Sequence, residues 1–221
     1  MTPAVSAPRA LLFDLDGTLV DSAPDLIVAV RSLCAELGAP EPDGEAVRRV
    51  VSAGGRAMLR KALPGADDAM IDQWLARFLD LYSVAMTVHT RLYEGMAEVL
   101  DRARARGIPW GIVTNKPGWL ARPMLAQMDF YGDCAVLVTG DCLPVRKPDP
   151  APVQFACARI DVAPGDAVMI GDDLRDVQSG RAAGARTVAA AWGYLDGGDP
   201  EAWGADLVVE VPSGLVAALG L

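Results

Sequence analysis

Asp14 and Asp16 flank Leu15 at the end of an apolar run, in "LLFDLDGTLVDS" (residues 11–22). Carboxylates at the end of a buried strand are costly, and two so close repel, so one tends to keep its proton unless a cation intervenes. Polar residues follow apolar runs twice more: Thr114 and Asn115 after "WGIV", and Asp172 and Asp173 after "VMIG". Lys147 lies in "PVRKPDP". Together these types suit phosphoryl chemistry. Asp14, Asp16 and Asp172 offer hard oxygen ligands, which Mg²⁺ prefers alongside water and substrate phosphate. Thr114 and Asn115 can donate to phosphate oxygens. Lys147 supplies positive charge that offsets crowded carboxylates and stabilises a phosphoryl group in transfer. With a cation near it, Asp14 stays ionised and can attack phosphorus, forming an aspartyl phosphate. If the chain bends after the strand, Asp16 reaches the leaving oxygen, protonates it, and then takes a proton from the attacking water. Gly17 permits the bend, and the Thr18 hydroxyl can brace it.

Such scattered residues need a fold that converges them. "LLFDLD", "IPWGIVTN", "CAVLVTGD", "DAVMIGDD", "ARTVAAA" and "ADLVVE" read as short buried strands. "YEGMAEVLDRARARG", "GWLARPMLAQM" (despite Pro123), "DPAPVQFACARI" and "DVQSGRAAG" read as the helices between them. Strands alternating with helices predict a parallel sheet covered on both faces. After the first strand the pattern changes. "APDLIVAVRSLCAELG", "EAVRRVVSAGGRAMLRKAL" and "DDAMIDQWLARFLDLYSVAM" carry apolar residues three and four apart, with "SAGGRA" as a loop interrupting the second. The expected fold class is therefore α/β: a Rossmann-like parallel sheet core, residues 1–19 and 90–221, with an all-helical cap domain, residues 20–89, inserted after the first strand. The cap is expected over the carboxyl edge of the sheet, where α/β proteins place ligands.

Composition narrows the partners. Of 221 residues, 52% are hydrophobic and 22% charged, which argues against disorder. Twenty basic against 29 acidic residues give a net charge of -9, unsuited to nucleic acid. No apolar stretch approaches the roughly 20 residues of a membrane helix, and "MTPAVSAPRA" does not read as a secretory signal. Four cysteines without ligand spacing, and His89 as the sole histidine, argue against zinc. The expected partner is a small phosphorylated metabolite, in the cytoplasm, without nucleic acid or membrane; monomer and dimer both stay open.

In this order, "FDLDGT", "VTNK", "RKPDP" and "GDDLRD" resemble the haloacid-dehalogenase superfamily, in its phosphatase branch with a helical cap. The resemblance implies Asp14 as nucleophile and Asp16 as acid/base. It implies Thr114 on phosphate with Asn115 beside it, and Lys147 supporting phosphate and nucleophile. Asp14, Asp172 and the backbone carbonyl of Asp16 become Mg²⁺ ligands, and Asp173 and Asp176 an acidic shell around them. A plainer reading of Asp173 and Asp176 is that they cap the following helix. A signalling receiver domain also combines acids, a Thr and a Lys around Mg²⁺, but its phosphoacceptor follows a middle strand and it has no cap.

Specificity is expected from the cap. In "VSAGGRAML", Gly54 and Gly55 allow close approach of the backbone, and Arg56 can reach a carboxylate or a sugar hydroxyl. His89 reads as structural. Trp192, Tyr194 and Trp203 read as packing at the edge of the core, with Tyr194 able to line the mouth. The layout implies a small carboxylated or sugar phosphate. "RRVVSAGGRAML" and "GYLDGGDPEAWGAD" resemble family members acting on N-acetylmuramic acid 6-phosphate, ahead of phosphoglycolate. A phosphosugar mutase like β-phosphoglucomutase, and a non-enzymatic phosphate-binding domain, are the remaining alternatives.

Overall fold

The computed structural model describes residues 7–221; most of the stretch read for a secretory signal, residues 1–6, lies outside them. The chain begins with β1 (Ala10–Phe13) and β2 (Val20–Asp21). Four helices follow: α1 (Ala23–Glu36), α2 (Gly44–Arg48), α3 (Gly55–Ala62) and α4 (Asp68–Ser83). The chain returns through β3 (Arg91–Leu92), then alternates: α5 (Met96–Ala105), β4 (Trp110–Val113), α6 (Gly118–Leu125), β5 (Val136–Val138) and α7 (Ala151–Arg159). It closes with β6 (Ala167–Gly171), α8 (Leu174–Ala183), β7 (Arg186–Ala190), β8 (Leu207–Val209) and α9 (Gly214–Leu219).

The main sheet has six strands in the order β5-β4-β1-β6-β7-β8, all paired in parallel. Side chains alternate as a parallel strand requires. Leu11 and Phe13 enter one apolar cluster, and Ala10 and Leu12 the cluster on the opposite face. The first cluster runs without a break into the helical insertion, through Leu26, Leu33, Leu59, Ile71 and Phe78. The α/β sheet and its all-helical insertion are thus as the sequence reads.

Register places the chemistry. Phe13 sits opposite both Ile112 of β4 and Ile170 of β6, so Asp14, Thr114 and Asp172 leave three adjacent strands at nearly one level. Local signals set the helices. Asp43 accepts from Glu45 N and Ala46 N, and Asp67 from Met70 N, capping α2 and α4. The "SAGGRA" break separates α2 from α3. The antiparallel ribbon of β2 and β3, where the chain leaves and re-enters the core, has no counterpart in the sequence reading.

Candidate active site

Asp14, at the exit of β1, is 8% exposed; its N–H donates to Ile170 O of β6, fixing it against its neighbour. Carboxylate oxygens of Asp14, Asp172 and Asp176 gather within 4.8 Å of one another. One buried cation faces them. Lys147 Nζ lies 2.8 Å from Asp14 Oδ1 and 2.7 Å from Asp176 Oδ1, and donates to Val113 O at 2.5 Å. Burial pulls the Lys147 ammonium down, but Asp14 and Asp176 more than offset this and hold it protonated.

Asp172 is fully buried and accepts from Thr18 Oγ1 (3.0 Å), Ser52 Oγ (2.9 Å) and Tyr194 N (2.8 Å). Burial first, and the Asp14 charge second, push its carboxyl up to about 7 against those donors. Asp176 is raised as well, by burial and by Asp14 and Asp172, with Lys147 opposing. Three carboxylates against one ammonium leave excess buried negative charge, all on hard oxygen donors. That donor set fits a divalent cation such as Mg²⁺.

The chain bends as the chemistry needs. Gly17 has φ 91°, and a Cβ there would run into the Asp172 carboxylate. The bend carries the Asp16 side chain away from the acidic group. Its oxygens meet Lys116 Nζ at 3.0 and 3.2 Å, and its Oδ1 accepts from Ser22 Oγ at 2.5 Å. The side chain of Asp16 thus stands outside the group formed by Asp14, Asp172 and Asp176. Asp176 also serves the plainer role: its Oδ2 accepts from Asp173 N while Asp173 Oδ1 accepts from Arg175 N, a capping box that starts α8.

Thr114 is 5% exposed, and its hydroxyl accepts from Lys116 N, leaving its own proton to donate. The Asn115 amide donates to Lys147 O at 3.0 Å, so this side chain braces the lysine loop. A cavity of about 580 Å³ opens above these residues, between sheet edge and cap. Its floor includes Asp14, Asp16 and Thr114; its roof includes Met58, Leu75 and Phe78. Arg56 lines it too, with its guanidinium ion-paired to Asp72 of α4. The cap closes over the site through the loop before α3. Besides the Ser52 hydroxyl on Asp172, Ser52 O accepts from Arg175 Nη2 at 2.7 Å.

The haloacid dehalogenase-like hydrolase family model matches residues 11–190. The chain belongs to this family. A phosphoglycolate phosphatase of Xanthomonas campestris is 46% identical over 206 residues, covering 93% of each chain. An N-acetylmuramic acid 6-phosphate phosphatase of Pseudomonas putida is 42% identical over 208 residues, covering 92% of each. The crystal structure of a predicted phosphoglycolate phosphatase from Haemophilus somnus superposes with a TM-score of 0.85 at 24% identity, over 95% of this chain and 97% of that one, a likeness of fold. These relatives make the chain a family phosphatase.

Further residues stand around this phosphatase site, and of these the sequence reading passed over Lys116, Ser52 and Tyr82. Lys116, inside the quoted "VTNK", is the partner of Asp16. Ser52, Tyr82 and Arg175 carry the cap onto the core. Tyr194, read as edge packing, is buried; its hydroxyl accepts from Ser22 N and Ala23 N and donates to Asp21, each at 2.9 Å. With the Ser22 hydroxyl turned to Asp16, Tyr194 meets buried N–H groups at the start of α1 that have no partner within the helix.

Proposed function

We propose that this phosphatase hydrolyses a phosphomonoester through an aspartyl phosphate on Asp14, with Mg²⁺ held by Asp14, Asp172 and the Asp16 carbonyl. Its substrate in this reading is N-acetylmuramic acid 6-phosphate. The observation carrying the reading is the cavity, with Asp14 on its floor and apolar cap side chains above. Asp14 attacks phosphorus and Asp16 gives its proton to the leaving oxygen. Thr114 donates to the phosphoryl oxygens, and Lys147 holds Asp14 in place while offsetting charge in transfer. Bound Mg²⁺ supplies further charge neutralisation on nucleophile and phosphate. We take residues 20–89 as the cap, since the β2–β3 ribbon joins the two chain crossings. The four free thiols support a cytoplasmic setting.

The size of the cavity supports a sugar. Small-molecule sites run to roughly 300–1,000 Å³, and 580 Å³ is large for the two carbons of phosphoglycolate. A pyranose with acetamido and lactyl groups brings ring faces and methyls to Met58, Leu75 and Phe78. The named relatives include both substrates and do not choose between them. Arg56 lies where it can exchange Asp72 for the substrate carboxylate.

Phosphate release with Mg²⁺ should be compared across N-acetylmuramic acid 6-phosphate, phosphoglycolate, N-acetylglucosamine 6-phosphate and nucleotides. The muramic ester should show the highest kcat/KM, with the glucosamine ester, which lacks the lactyl carboxylate, at least about tenfold lower. Arg56→Ala should raise KM for the muramic ester about tenfold with kcat little changed. Dominance of phosphoglycolate would overturn the sugar assignment. Transfer of the phosphoryl group to a second sugar hydroxyl, in place of release, would indicate a mutase.

A further inference from the structure

We infer that Lys116 and the cap residue Tyr82 form a clamp that positions the Asp16 carboxylate for the second half-reaction, the attack of water on phosphorylated Asp14. This rests on the acid/base role given to Asp16 above. Lys116 Nζ donates to both Asp16 oxygens, at 3.0 and 3.2 Å, and to Tyr82 Oη at 3.0 Å. It also stands 4.7 Å from the centroid of the Tyr82 ring. The Lys116 side chain is 7% exposed and Tyr82 is 1% exposed. A buried ammonium is tolerated only where partners meet it, and here they come from two parts of the chain. Asp16 and Lys116 belong to the core, while Tyr82 stands on α4 of the cap and turns its hydroxyl proton to Met124 Sδ of α6, at 3.6 Å. The clamp is complete only with the cap lying over the sheet edge.

Two hydrogen bonds from one ammonium fix the orientation of the Asp16 side chain. The water step uses that side chain as the proton acceptor once the leaving group has gone. The water oxygen bonds to phosphorus, the bond from phosphorus to the Asp14 oxygen breaks, and one water proton passes to Asp16. Inorganic phosphate departs and the Asp14 carboxylate is restored. Formation of the phosphoenzyme from an ester with an acidic alcohol needs no such proton transfer. A clamp serving the water step therefore affects kcat and spares kcat/KM for such an ester.

The test uses the full chain with Mg²⁺ and p-nitrophenyl phosphate, by rapid-quench and steady-state kinetics. Lys116→Met should release close to one nitrophenolate per site in a burst. Turnover should then be about a hundredfold slower than wild type, with kcat/KM within about threefold. Tyr82→Phe should show the same pattern with a smaller fall in kcat, about tenfold. Loss of kcat and kcat/KM together without a burst, in either variant, would mean a merely structural role and overturn the inference. So would unchanged kcat. If Lys116→Met does not fold, Tyr82→Phe decides alone. Asp16→Asn is the control: wild-type turnover there sinks the role of Asp16 itself, whereas a stalled Asp16→Asn beside normal clamp variants sinks only the clamp.

Discussion

The most informative single residue is Asp172. It is fully buried and accepts three hydrogen bonds, yet its carboxyl is pushed up to about 7 by burial and by Asp14. A raised carboxyl means the folded chain binds more protons than the unfolded one between the usual carboxylate range and about 7. Without metal, the contribution of Asp172 to stability is therefore greatest at low pH and is lost as pH rises through that window. Mg²⁺ should remove the loss, because metal replaces the proton. Thermal melts from about pH 4 to 8, with Mg²⁺ and with chelator, check this; the two curves should diverge as pH rises. Curves that stay parallel would contradict a metal at Asp172. The neighbours of this residue were legible in part. The acids after the strands and Lys147 declare themselves by residue type and place. Lys116 does not, since nothing in "VTNK" says that its side chain folds back to Asp16, 100 residues earlier. Arg56 was legible as a cavity residue, but its pairing with Asp72 depends on how α3 packs against α4.

At the scale of elements, periodicity made nearly every helix and main-sheet strand readable, because each buries one face or both. The ribbon of β2 and β3 was not, since two residues per strand carry no period. Short α9 and the 3-10 turns escaped for the same reason. What holds cap to core is also non-local. Asp25, in the first turn of α1, is 3% exposed and accepts from His89 N, Thr90 N and Thr90 Oγ1 at 2.8–3.0 Å. It ties the start of the cap to the point where the chain returns. His89 takes part through its backbone, in keeping with its structural reading. Asp25→Ala leaves these donors unmet and should cost about 3 kcal/mol of stability. Denaturant titration measures this, and a change below about 1 kcal/mol would show that the strap contributes little.

For the whole molecule, the layout explains how a chain of net charge -9 can handle an anionic ester. Lys116 and Lys147 are buried at the carboxyl edge of the sheet, and the acids beside them suit a divalent cation. The cap covers this edge through Ser52, Tyr82 and Arg175, so the reacting atoms lie under a largely apolar roof. Among the described residues no helix is long and apolar enough to cross a membrane. The parallel sheet and the insertion were readable from the sequence, the first from strands alternating with helices and the second from the helical block that interrupts that alternation; the strand order β5-β4-β1-β6-β7-β8 was not. The closure of the cap was not, since it depends on contacts between residues more than a hundred positions apart, such as Ser52 with Asp172.

The central proposal is covalent chemistry at Asp14, and its most direct measurement is the mass of the intact Asp16→Asn chain after incubation with substrate and Mg²⁺. We expect one added phosphoryl group per chain, lost in mild base and mapped by peptide sequencing to Asp14, with Asp14→Asn showing neither adduct nor turnover. An adduct on another residue, or undiminished turnover by Asp14→Asn, would contradict Asp14 as the nucleophile.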